Sequence, residues 1–178
     1  MPALRRRGAV MVAGAGVGVD LAGAAARGGF RLGGAGDVDF RPTRRMMALV
    51  DKGCVMRELI ERYLAAYNRM DVDGMLATMH REVVFENYTA GVMSVRTQGA
   101  DELRHLAQSS SYLFSARRQL ILAYEERDGT ATAHILFDGT FAVDLPNGVR
   151  AGQSITLNGR SEFRERDGLL VYIGDYSE

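Results

Sequence analysis

Three turn signals recur at nearly equal spacing in the second half of this 178-residue chain: Arg127-Asp-Gly129, Pro146-Asn-Gly148 and Arg166-Asp-Gly168, which lie 19 and 20 residues apart. Asp-Gly and Asn-Gly pairs accept the left-handed backbone that tight hairpins demand. The spacing therefore predicts four long antiparallel strands, over 117–126, 130–144, 150–165 and 169–177. Alternation agrees in the middle two. Ala133, Ile135, Phe137, Phe141 and Val143 oppose His134, Asp138, Thr140 and Asp144, while Ile155, Leu157 and Phe163 oppose Thr156, Asn158, Arg160, Glu162 and Arg164. Such a sheet has one apolar and one polar face. Strands this long must curl, and Gly139 and Gly159 are the expected places for a bend or bulge.

The first half has a different period. Met56, Leu59, Ile60, Tyr63, Leu64 and Tyr67 fall at i, i+3, i+4, i+7, i+8 and i+11, which is one apolar stripe on a helix. Asp71 is placed to cap a second helix through Met75, Leu76 and Met79. Val83 to Glu86 reads as a short strand, and Gln98-Gly99-Ala-Asp-Glu-Leu103 opens a third helix with its acids at the N-terminus. Segments 88–98 and 110–116 show no period and read as loops. Three helices laid across a curled antiparallel sheet make an α+β cone with a mouth.

Residues 1–45 differ from the rest. They hold ten Gly and nine Ala, with eight Arg against three Asp, and few large apolar groups. Such a segment cannot bury enough surface to offset its chain entropy and is expected to be disordered. A signal peptide is the sharper alternative, since Arg5 to Arg7 precede Gly8 to Val19, but Asp20 sits badly for one. A start at Met46, Met47 or Met56 is another. The Gly14-Ala-Gly-Val-Gly18 run fails the dinucleotide-loop spacing, because the third glycine should fall at Val19. The folded part is thus expected over 46–178, as a single domain.

That part carries 14 basic and 19 acidic residues, without the basic footprint that nucleic-acid affinity requires. No run approaches the roughly 18 to 20 apolar residues of a membrane span. Cys54 stands alone, which fits a reducing compartment and a cytoplasmic location. His80, His105 and His134 lie far apart without ligand spacing, so neither metal nor cofactor is expected.

Two runs carry a family resemblance: Arg62-Tyr-Leu-Ala-Ala-Tyr-Asn-Arg-Met-Asp-Val-Asp-Gly74 and Arg166-Asp-Gly-Leu-Leu-Val-Tyr-Ile-Gly-Asp-Tyr176. Over 56–178 the chain resembles the nuclear transport factor 2-like superfamily, of cystatin-like cone fold. The closer likeness is to its SnoaL-like branch, which includes ketosteroid isomerases, polyketide cyclases and limonene-epoxide hydrolases. The resemblance implies a homodimer paired through the sheet, with Arg160, Glu162 and Arg164 on the pairing face. It also implies an apolar cavity in which an acid or base and a hydrogen-bond donor work on a small, mostly apolar organic molecule.

Residue by residue, the carry-over is partial. Tyr63, in Arg62-Tyr-Leu-Ala-Ala66, matches the isomerase tyrosine that polarises the substrate oxygen. Asn87, in Phe85-Glu-Asn87, stands where the isomerase base would be, and an amide cannot abstract a proton. Ser161, two residues before Phe163, replaces a neutral acid donor. The isomerase set is therefore incomplete. Asp175 matches the terminal-strand aspartate of the epoxide hydrolases and resembles the acid/base position of the cyclases; on a strand face with Val171 and Ile173, burial should raise its pKa. Asp138 and Thr140 stand where the hydrolases carry an Arg-x-Asp pair. Asp175 and Tyr63 are thus the candidate catalytic groups, with Asn87, Tyr67, Asp138 and Ser161 as candidate substrate contacts. The expected activity is a cofactor-free isomerase, cyclase or hydratase. The alternative is a noncatalytic ligand-binding or dimerisation module, its cone plugged by Met and aromatic side chains.

Overall fold

A computed structural model describes residues 44–177 and, ahead of them, 11–12 and 17–18, with side chains from residue 55 onward. The expectations for the leader otherwise lie outside the described residues, as does the Cys54 side chain. Met11–Val12 (β1) pairs antiparallel with Val17–Gly18 (β2). Then follow α1 (Arg44–Asn68), α2 (Val72–Leu76), β3 (Met79–Thr89), β4 (Val92–Gln98), α3 (Ala100–Ser111), β5 (Phe114–Arg127), β6 (Thr130–Phe141), β7 (Ser154–Arg166) and β8 (Leu169–Ser177).

The stripe along α1 explains why that helix docks. Met56, Leu59, Ile60, Tyr63, Leu64 and Tyr67 are all buried, on the inner face of the sheet. The helix ends where Met70 turns to φ 58°, and Asp71 opens α2 by accepting the Gly74 N–H at 2.8 Å through Oδ1. Gly74 is required there, since a Cβ would meet the Asp71 carboxylate at 2.3 Å and Ala66 at 3.1 Å. Helix α3 starts at Gly99, and Glu102 reaches back to accept the Gln98 N–H at 2.9 Å. That places a carboxylate at the helix N-terminus, where the helix dipole favours it.

Strands β3 to β8 form one curved, open sheet in the order β4-β3-β8-β7-β6-β5. All neighbours are antiparallel except β3 and β8, which run parallel. The sheet thus has six strands rather than the four long ones and one short one read from the sequence. Val83–Glu86 is the centre of the eleven-residue β3, and β4 occupies a stretch that reads as loop. Tight turns at Asp128-Gly129 and Asp167-Gly168 have φ of 53° and 75°, and 57° and 76°. The Asn147-Gly148 signal marks a longer connection instead. The β6–β7 ladder closes at Thr140 and Ser154, and the loop beyond is tied by Asp144, which accepts from Arg150 at 2.7 Å and from the Ala151 N–H at 2.9 Å. Register shifts occur in β3, β5, β7 and their partners, but none at Gly139 or Gly159. Gly139 has a different function. A Cβ there would lie 2.7 Å from the Phe114 ring and 2.8 Å from Phe137, so its bare backbone admits the two edge-on rings.

Candidate functional site

Register decides which side chains share the inner face. Because Asn87 lies opposite Asp175, Asp175 opposite Ser161, and Ser161 opposite Ala133, one row of side chains crosses β3, β8, β7 and β6. Side chains two residues along a strand share a face, so the adjoining row is Phe85, Ile173, Phe163 and Ala131, all buried. The polar row therefore sits against an apolar floor, with Tyr63 packed edge-on over Phe163 at 6.1 Å between ring centres.

Asp175 is 1% exposed. Its Oδ1 accepts the Ser161 hydroxyl at 2.6 Å, and Oδ2 has no hydrogen-bond partner among the described residues. Burial raises the carboxyl pKa to about 7, and the Ser161 hydrogen bond lowers it only in part. Beside it, Asn87 donates through Nδ2 to Ser94 Oγ at 2.7 Å, while its Oδ1 is buried without a partner. Ser94 donates in turn to the Asn87 carbonyl at 3.0 Å, which fixes the amide across the β3–β4 pair.

Both helix tyrosines belong to this interior. Burial, then the charge of Asp175, holds the Tyr63 hydroxyl well above its ordinary pKa, so it is a neutral donor. Tyr67 is wholly buried and 6.4 Å from Tyr63 between ring centres, and its hydroxyl is unpartnered among the described residues. Burial raises its pKa too, against the charge of Arg117 and the approach of its guanidinium to the hydroxyl, which falls short of hydrogen-bond geometry.

Five of the six sequence candidates, Asp175, Tyr63, Asn87, Tyr67 and Ser161, are thus buried on the inner side. Asp138 is not among them. It pairs in register with Arg118 and Thr156, accepts the Thr156 hydroxyl at 2.6 Å, and lines an outer groove of about 220 Å³ with Arg118, Thr140 and Ser154. The reason is parity: Ala133 faces inward, so a residue five positions on faces outward.

Arg117 and Gln119 escaped the sequence reading. They are 5% and 3% exposed, on the inner face of β5 opposite Gly139 and Phe137. Asn68 holds the Gln119 backbone at both ends, accepting its N–H at 2.7 Å and donating to its carbonyl at 3.1 Å. The available signal is that Arg117, Gln119 and Ile121 share one strand parity. Among the described residues no group of three or more His, Cys, Asp or Glu is placed to hold a metal, and no helix is long and apolar enough to cross a membrane.

Residues 60–173 match the SnoaL-like domain family, and the chain belongs to it. Solved structures agree on the fold. A protein from Silicibacter sp., provisionally assigned as a polyketide cyclase, is 26% identical with a TM-score of 0.57, over 69% of this chain and 88% of that one. A second provisional polyketide cyclase, from Xanthomonas campestris, is 22% identical with a TM-score of 0.57, over 70% and 90%. A protein of ketosteroid isomerase-like fold from Catenulispora acidiphila, in complex with trimethylamine, is 10% identical with a TM-score of 0.56, over 68% and 85%. Comparison with curated proteins gives no match.

Proposed function

We propose that this SnoaL-like domain binds a small, mostly apolar organic molecule against the inner face of its sheet and moves a proton on it with Asp175. The observation that carries this reading is the Asp175 carboxyl: one oxygen fixed by Ser161, the other buried and without a partner among the described residues. A native carboxylate is seldom left half-satisfied in an interior unless something else uses it. With a pKa of about 7, both protonation states are populated near neutrality, the condition for general acid/base work. Tyr63, kept neutral, supplies a donor toward an oxygen on which charge develops. Asn87 orients substrate and takes no proton. Relatives provisionally assigned as polyketide cyclases fit the same chemistry, because isomerisation, cyclisation and hydration all need one proton taken and one returned.

The test is solvent-proton exchange at the carbon beside the carbonyl of 2-tetralone, followed by NMR in D₂O. The wild-type rate should rise with pH through about 7, the pKa of the Asp175 base. Asp175→Asn should lower exchange on the order of 100-fold or more, with the same circular dichroism. Equal exchange by both proteins would remove Asp175 from the chemistry. No exchange and no binding by either would leave a domain filled by its own side chains.

A further inference from the structure

The inner face carries a second polar feature that proton transfer does not use. Arg117 donates through Nε to the Tyr67 carbonyl at 3.1 Å, at the C-terminal turn of α1, and its guanidinium carbon lies 3.8 Å from the centre of the Tyr67 ring. Those contacts account for Nε and for one face of the group. They leave Nη1 and Nη2, which are buried with no hydrogen-bond partner among the described residues. The side-chain nitrogen of Gln119, two residues along on the same face, is in the same state.

A guanidinium taken out of water without a counter-ion is costly. Capping a helix needs one of its donors and does not call for a neighbouring amide to be left open as well. The unoccupied end of the group is the two-nitrogen fork, whose planar geometry matches a carboxylate. The Tyr63 and Tyr67 hydroxyls feel both the Arg117 cation and the Asp175 carboxylate, so the two polar features share one interior.

We infer that the ligand is an organic acid, its carboxylate or equivalent planar oxyanion held by Arg117 Nη1 and Nη2 together with Gln119 Nε2, and its apolar body running from there toward Asp175. This rests on the proposed pocket and names the class of molecule that fills it. Arg117 and Gln119 set specificity, and Asp175 acts at the far end.

The experiment is a fluorescence titration of the full chain with 1-hydroxy-2-naphthoate and with its methyl ester, which differ in the charge. The wild-type protein should bind the acid about 10- to 100-fold more tightly than the ester, the range of a charge-assisted bidentate contact. Arg117→Met should bring acid binding down to the level of the ester and leave the ester unchanged. Gln119→Leu should weaken the acid about 3- to 10-fold, and its backbone bonds to Asn68 are untouched by the change. Equal binding of acid and ester by the wild type, or an acid preference surviving Arg117→Met, overturns the inference. Should Arg117→Met fail to fold, an acid affinity unmoved by Gln119→Leu overturns it. If neither probe binds, this inference and the pocket reading fall together. If both bind alike while proton exchange still depends on Asp175, this inference alone falls.

Discussion

Glu86 and Asn87 are neighbours on β3 that point to opposite faces of the sheet, and their surroundings differ in kind. On the outer face Glu86 accepts from Tyr88 at 2.9 Å, Tyr172 at 3.1 Å and Arg96 at 3.1 Å. Tyr88 stacks on Tyr176 at 4.9 Å, Arg160 lies over Tyr176 and Arg164 over Tyr172. Gly174 leaves room for this, since a Cβ there would meet the Tyr172 hydroxyl at 2.5 Å. On the inner face Asn87, Asp175, Arg117, Gln119 and Tyr67 each hold a buried polar atom without a partner among the described residues. Outside, polar groups satisfy one another and add stability. Inside, several polar atoms are left without a protein partner among the described residues, at a cost to stability.

The two carboxyls make the contrast measurable, because they respond to pH in opposite senses. Asp175 has a folded pKa of about 7 against an ordinary 3.8, so the native state holds the proton more tightly than the unfolded chain. Its contribution is fully present below the unfolded value and is lost as pH rises through about 7, a difference of roughly 4 kcal/mol. Asp175→Asn should therefore be the more stable protein at pH 8 by a few kcal/mol, with a flatter dependence of stability on pH between 4 and 8. Urea unfolding across that range measures it, and parallel curves for the two proteins would break the comparison.

Glu86 is shifted the other way. Burial pushes its pKa up, but the Tyr88 and Tyr172 hydroxyls and the Arg96 guanidinium outweigh that and hold it below the usual value. Its stabilisation is present above the ordinary carboxyl pKa and is lost as pH falls through the lower, folded value. Glu86→Gln should cost about 1–2 kcal/mol at pH 7 and leave proton exchange and acid binding unchanged. A loss of either activity would show that the outer network shapes the site, and would break the boundary between the faces. The smallest effect belongs to neither face. Asp71→Ala removes the cap of α2 and should cost about 1 kcal/mol in thermal or urea unfolding, with affinity for the naphthoate intact.

What the sequence discloses follows the same division. The Asp-Gly turns at 128–129 and 167–168 are legible because few residues accept a positive φ, and the α1 stripe because one face of a helix must be dry. Strand β4 is illegible. Its residues are mostly exposed at a sheet edge, so nothing enforces alternation, and its turn uses Ala90 at φ 49° where Asn or Asp would have announced it. Asp175 and Tyr63 could be singled out from the runs around them, but which of their atoms go unpartnered is a matter of register. Arg117 is told from its neighbour Arg118 only by sharing strand parity with Ile121, a weak signal in sequence. Only the pairing with Gly139 turns it inward.

The parallel contact between β3 and β8 joins segments far apart along the chain, 86 residues in the case of Tyr172 and Glu86. Hairpins β5–β6 and β7–β8 close over short turns, whereas this pairing must first bring distant segments together against loop-closure entropy. Asn87 and Asp175 meet across that seam and nowhere else. The contact that asks most of the folding chain is therefore the one that sets Asn87 beside Asp175, and their meeting is a property of the finished topology rather than of any local motif.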